Sequence, residues 1–249
     1  MSNIARYSHG RGPSQVFTGF DFERLEYGDG GFLFWDEFRD LLTGRYVSTQ
    51  ATAGTFALDD LKGGVAILDS NSTTTTQGIQ IQKKEGSTGE MFAPDADDTL
   101  AFECRIAFHD LGALATAGEL FIGLASIDTS IIASSATSAT TYLGFESVTD
   151  DGVILGVSYD GTTRKTATSI YTMIDSDVTA DSWVKLGFRV DGTNKVTFYV
   201  NGVAAANGIT ASIPTALMTP SAVCQTSGTT DVLYKLDWWL FAQMTGVDQ

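Results

Sequence analysis

The stretch from Trp183 to Val203, WVKLGFRVDGTNKVTFYVNGV, alternates apolar and polar residues on both sides of a turn. Val184, Leu186, Phe188 and Val190 interleave with Lys185, Gly187 and Arg189. After Asp191-Gly192-Thr193-Asn194, Val196, Phe198 and Val200 interleave with Lys195, Thr197 and Tyr199. Alternation of period two around a Gly/Asn-containing turn predicts an antiparallel hairpin with one dry and one wet face. Asn201-Gly202 follows at once as a second tight-turn signal, so the chain meanders in short strands.

Working outward, alternating apolar runs recur from Tyr46 onward. Strands are expected near 46–51, 55–58, 64–69, 78–83, 99–108, 118–126, 141–147, 152–159, 167–173, 183–191, 195–203, 221–226 and 231–243. Asp59-Asp60, Gly63-Gly64, Gly86, Asp150-Asp151-Gly152, Asp160-Gly161 and Gly228 break the runs. No repeat of fixed period occurs, and no shift in composition after Tyr46 marks a second body. A dozen or so such strands suit a two-sheet sandwich.

The bulk properties agree. A chain of 249 residues with 26 Gly and only 4 Pro, rich in Thr, Ser and Ala, favours strands and tight turns. No apolar run approaches the roughly 20 residues a membrane helix needs. The opening MSNIARYSHGRG has no apolar core of a secretory signal, so synthesis in a cytoplasm without export is expected. Thirty acidic against 15 basic residues give a formal charge of −15, a surface that repels phosphate backbones and excludes nucleic acid as a partner.

Residues 1–45 differ from the rest. They form an aromatic-rich lead-in, and residues 1–20 carry Arg6 and Arg11 with no acid. An extended arm is expected there, then a turn at Gly28–Gly31. Phe34, Phe38, Leu41 and Leu42 follow with helical spacing, as a short helix or turn closed by Gly44. The final run, YKLDWWLFAQ from Tyr234, places Leu236, Trp238 and Leu240 on one strand face and Trp239 and Phe241 on the other. Both faces are apolar, so both need cover, from the N-terminal segment or from a partner subunit.

The Trp183–Val203 block resembles the W-x-x-L-x-F-x-x-D-G…V-x-F-Y-V-N-G strand pair of the concanavalin A-like jelly rolls, the laminin G-like group among them. The Leu236-Asp237-Trp238 strand is similar to their closing strand, and Phe34-Trp35-Asp36-Glu37-Phe38 to their opening F-x-D-D-F element. The resemblance implies an all-β fold: a two-sheet antiparallel β-sandwich (jelly roll) over residues 46–249, with an extended N-terminal arm over 1–45.

That superfamily includes glycosidases, whose E-x-D-x-x-E set on one strand is absent here. Glu103 has no second carboxylate at that spacing, and Glu146 stands near Asp150 and Asp151 at a turn. Two carboxylates on separate strands could still lie ~5–9 Å apart in space. His9 and His109 are isolated, no G-x-S-x-G elbow occurs, and the Asp-Gly pairs read as turns. Cys104 and Cys224, two isolated cysteines, make no zinc pattern and read as buried free thiols. The expectation is a non-enzyme with no metal and no cofactor.

The chain also resembles, at fold level, the jelly-roll structural proteins of tailed-phage virions. That resemblance implies a protein made in the host cytoplasm and carried in the virion. It would dock on a major capsid protein or another virion protein through an arm of Arg6, Tyr7, Arg11, Phe17 and Phe20. Capsid decoration, head fibre and tail roles stay open. Ile131-Ile132, in the small-residue loop TSIIASSATSATT, and Trp239 with Phe241 are the candidate contacts of a dimer or trimer. The alternative is a glycan-binding adhesin or lectin-like tail module using Tyr171, Trp183 and Tyr199, with a glycoside hydrolase behind it.

Overall fold

The hairpin of the Trp183–Val203 stretch forms as its alternation dictates, and two sheets are built around it. The computed structural model describes residues 14–22, 25, 30–40, 44–51, 53–59, 64–74, 76–83, 89–109, 118–133, 136–137, 139–147, 152–173, 182–228 and 231–246. In chain order the strands are β1 (Gly31–Asp36), β2 (Tyr46–Ala51), β3 (Thr55–Leu58), β4 (Ala66–Asp69), β5 (Gly78–Lys83), β6 (Thr99–His109), β7 (Glu119–Ala125), β8 (Ile132–Ala133) and β9 (Ala136–Thr137). There follow β10 (Tyr142–Ser147), β11 (Val153–Tyr159), β12 (Arg164–Thr172), β13 (Trp183–Asp191), β14 (Lys195–Val200), β15 (Val203–Ile209), β16 (Thr219–Gln225) and β17 (Leu233–Met244).

An eight-stranded sheet runs β15-β14-β13-β6-β17-β4-β3, with β1 also on β17. A seven-stranded sheet runs β12-β11-β10-β7-β16-β5-β2. Every pairing in both is antiparallel. The inner faces share one core: Val184, Leu186, Phe188 and Val190 are buried in it, while Lys185 and Arg189 point outward. Aromatic rings fill this core: Phe241 stacks on Phe102 (4.4 Å between centroids) and Phe102 meets Phe188 (5.1 Å) within the eight-stranded sheet, while Phe145 meets Phe198 (5.4 Å) across the two sheets. Gly156 makes the last contact fit, since a Cβ there would lie 2.6 Å from the Phe198 ring.

The expected limits of β2, β3, β5 and β13 match the structure. The expected strand 195–203 ends earlier, at Val200: the expected Asn201-Gly202 turn forms (φ +50° and +80°), and the chain returns as β15, a strand not among those expected. Positive φ at both central residues is what such a hairpin turn requires.

Two expectations near the ends are corrected. Phe34 begins no helix. It lies in β1, opposite Phe241, and helical continuation is blocked at Phe38, which sits at φ +48° with its N–H on Asp36 Oδ1 (2.8 Å). In β17 a bulge between Leu236 and Trp238 shifts the phase. Leu236 therefore joins Trp239 and Phe241 in the core, while Trp238 and Leu240 face outward.

Each sheet's outer face is partly covered by the chain itself. On the eight-stranded sheet, the 3-10 turn Gln15–Phe17 packs Val16 and Phe17 on Ala101, Leu240 and Ala242. Gly187 supplies the seat, because a Cβ there would stand 2.9 Å from Val16 Cγ2. Arg189 donates to the Thr18 carbonyl and lies over the Phe20 ring. On the seven-stranded sheet, the 126–141 segment lays Ile131, Ile132 and Ala139 on Phe121, Ala125, Tyr142, Val157 and Val223.

Candidate functional site

The two outer faces offer different chemistry. On the seven-stranded sheet Gln80 and Gln82, successive outward residues of β5, are almost fully buried. Gln80 Nε2 donates to the Asp128 carbonyl (2.5 Å), and Gln80 Oε1 accepts from Ile131 N (2.7 Å). Gln82 Nε2 donates to the Ser126 carbonyl (3.1 Å) and to Ser221 Oγ (3.0 Å), and its Oε1 accepts from Asp128 N (3.0 Å). The segment is thus held by its backbone, like an added strand, and then by its two isoleucines.

Farther along that face stand two fully buried carboxylates, Glu119 on β7 and Glu146 on β10. Glu146 pairs in register with Phe121, two residues beyond Glu119, so the two are diagonal neighbours with Cα atoms about 7–8 Å apart. Gln225 Nε2 donates to Glu119 Oε2 (2.6 Å), and Arg164 forms an ion pair with Glu146. Adjacent strands have brought together two carboxylates that are far apart in sequence. Both are out of solvent and engaged with neighbours, which suits a structural role better than proton transfer to a substrate.

Beyond the N-terminal cap, the outer face of the eight-stranded sheet carries charged and aromatic side chains, half-buried at Trp183, Arg105 and Trp238. Its rows across β13, β6 and β17 read Gly187–Glu103–Leu240, then Lys185–Arg105–Trp238, then Trp183–Ala107–Lys235. Three ion pairs run across it: Lys185–Glu103 (3.5 Å), Arg105–Asp237 (2.5 Å) and Lys235–Asp59 (3.6 Å). The Arg105 guanidinium also lies 4.6 Å from the centre of the Trp183 ring, a cation–π contact. Trp183 and Trp238 are both partly exposed, and Trp238 abuts the edge of the cap.

The residues expected at a site scatter over the molecule. Of the glycan set, Trp183 and Tyr199 share the outer face of the eight-stranded sheet, but Tyr199 packs against the N-terminal cap, where burial pushes its hydroxyl pKa up. Tyr171 belongs to β12 of the other sheet and packs against the core. Of the arm set, Arg6, Tyr7 and Arg11 lie outside the described residues. Phe17 is buried and Phe20 packs beside it, so neither stands on a detached arm. Ile131, Ile132, Trp239 and Phe241, expected as subunit contacts, are all buried within the chain, so the apolar area that called for a partner is covered internally. Arg105, Asp237 and Trp238 were not singled out from the sequence. No sequence signal brings them together, because the bulge that puts Asp237 and Trp238 on one face leaves no mark in a mostly apolar run.

No family model and no curated relative matches the sequence. Solved structures do match in shape. A protein of unknown function from Shewanella oneidensis superposes with a TM-score of 0.59 at 13% identity, over 92% of this chain and 96% of that one. A β-1,3-1,4-glucanase (lichenase) from a mouse hindgut metagenome gives 0.55 at 10% identity, over 84% and 98%. Peanut lectin gives 0.52 at 13% identity, over 86% and 97%. The fold is the concanavalin A-like jelly roll of lectins and glucanases.

A concanavalin A-like jelly roll at such identities carries no chemistry over, so the residues must decide. Among the described residues no group of three or more His, Cys, Asp and Glu is placed to hold a metal ion. Cys104 and Cys224 are free and fully buried, one in each sheet, and His109 ends β6. Among the described residues, no helix is long and apolar enough to cross a membrane.

Proposed function

We propose that this jelly roll is a non-catalytic, lectin-like module that binds carbohydrate. The observation that carries the reading is the patch on the outer face of the eight-stranded sheet, where two partly exposed tryptophans flank an Arg105–Asp237 ion pair. Aromatic surface beside fixed donors and acceptors is the usual make-up of a site for a polyhydroxylated ligand. Glu119 and Glu146 speak against hydrolysis: a general acid must reach the glycosidic oxygen, and both carboxylates are sealed from solvent. Docking on a virion lattice through an N-terminal arm has no support among the described residues, because Val16 and Phe17 are spent covering the sheet.

A printed glycan array paired with a reducing-sugar assay on β-glucans tests the reading. Saturable binding without release of reducing ends is expected. Turnover, or an array with no hits, would overturn it.

A further inference from the structure

We infer that the patch takes a neutral pyranose by a vicinal diol, gripped between Arg105 and Asp237 and walled by Trp183 and Trp238. The inference rests on the carbohydrate-binding reading above and adds the location and the ligand class.

The bulge in β17 is the first support. A bulge gives up a regular ladder position and re-aims side chains. Here it puts Asp237 and Trp238, consecutive residues, on the same outer face beside Arg105. An unbroken strand would send one of them into the core. The distortion thus assembles an acceptor, a donor and an aromatic wall in one place.

The unused hydrogen-bonding capacity is the second. Arg105 has five N–H donors in a planar fork, and among the described residues only Nη1 is engaged, with Asp237 Oδ2. Its side chain is 36% exposed and that of Asp237 22%. Asp237 Oδ1 has no partner among the described residues. A fixed Arg–Asp pair therefore presents donors and an acceptor side by side. Adjacent sugar hydroxyls, each able to donate and accept, match that arrangement, and bonds to charged groups are the stronger kind. The pair is held before any ligand arrives, since Arg105 is also stacked on Trp183.

Charge selects the class. Among the described residues, the patch's three cations are each matched by an anion, so these side chains attract no net charge. The chain carries −15 overall, which repels phosphorylated, sulfated or sialylated ligands at long range. A neutral sugar pays no such penalty, and its C–H face packs on an indole.

The test presents the full chain to immobilised neutral glucans, galactans and mannans alongside sialylated counterparts, then measures the best binder by calorimetry. Arg105→Lys keeps the charge but loses the fork, and Asp237→Asn keeps the shape but loses the charge. Each is expected to weaken binding at least tenfold, with circular dichroism unchanged. Thr166→Ala, exposed on β12 of the other sheet, is expected to bind as the parent does. Undiminished binding by Arg105→Lys and Asp237→Asn would overturn the site while leaving the carbohydrate reading standing. A preference for the sialylated glycans would overturn the ligand class. No binding to any glycan would overturn both.

Discussion

Gln80 accepts a hydrogen bond from the backbone N–H of Ile131 at 2.7 Å, and this contact lays the Ile131-Ile132 pair on the outer face of the seven-stranded sheet. The neighbouring Gln82 grips the same segment at Ser126 and Asp128. Gln80→Ala with Gln82→Ala would leave buried backbone groups of the segment without partners, at about 1–3 kcal/mol each. The isoleucines still contribute about 1.5–3 kcal/mol apiece through burial, so the fold should survive while the segment opens more often. Hydrogen exchange is expected to quicken at the Asp128 and Ile131 amides and to stay slow in β13. Unchanged exchange at those two amides would show that apolar contact alone holds the segment.

The N-terminal cap is a stability element. Deleting residues 2–20 removes the buried side chains of Val16 and Phe17 and uncovers Leu240, Ala242 and Ala101. The sandwich keeps its own core, so the truncated chain should fold with a loss of about 3–6 kcal/mol, from two apolar side chains of about 1.5–3 kcal/mol each. For a domain of this size each kcal/mol lowers Tm by about 2–4 °C. Phe17→Ala alone should reproduce a large part of the shift. An unchanged melting temperature after deletion would mean that the cap is not coupled to the sheet beneath it.

The hairpin from Trp183 to Val203 was legible because its two faces see two solvents, and alternation records that directly. β17 was half legible. Its residues were read as facing two apolar environments, which is correct, but a bulge leaves no mark on a pattern in which nearly every residue is apolar. The phase after Leu236 therefore came out inverted. β1 was missed because Phe32 to Trp35 are apolar at every position, so no alternation of period two marks a strand, although Phe32 stays exposed and the next three are half-buried. The Arg105–Asp237 pair was not legible at all: the residues are 132 positions apart, and only the antiparallel pairing of β6 with β17 brings them together.

Tyr46 makes the protein sensitive to alkali. Its hydroxyl donates to Asp36 Oδ2 (2.5 Å) and accepts from Trp239 Nε1 (3.2 Å). Burial above all, and then the Asp36 charge, pushes its pKa far above the ordinary value of 10.0. Above about pH 10 the unfolded chain loses this proton and the folded chain keeps it, so the folded state binds more protons and stability falls as pH rises. Tyr46→Phe should be less stable than the parent at pH 7, because the Trp239 N–H is left unpaired, at about 1–3 kcal/mol. Its stability should then fall less steeply between pH 9 and 11 (roughly the range flanking an ordinary tyrosine pKa). Parallel urea-unfolding curves for the two proteins across that range would show that Tyr46 is not the linked group.

Cys104 and Cys224 give the last test of how closed the core is. Cys104 faces the core from β6 and Cys224 from β16, and both are free and fully buried. Burial drives both thiol pKa values well up, reinforced by the charge of Glu103 at one and of Asp69 and Asp231 at the other. Only the thiolate attacks a disulfide reagent, so each sulfur is protected twice, by access and by protonation. Ellman's reagent at pH 8 (about half a unit below an ordinary cysteine pKa) is expected to find no thiol in the native protein and both after denaturation. Slow native labelling should then follow the opening of the sandwich, and should quicken in the 2–20 deletion in step with its lost stability. Fast labelling of the intact chain would place at least one sulfur at the surface and break the account of a core sealed between the two sheets.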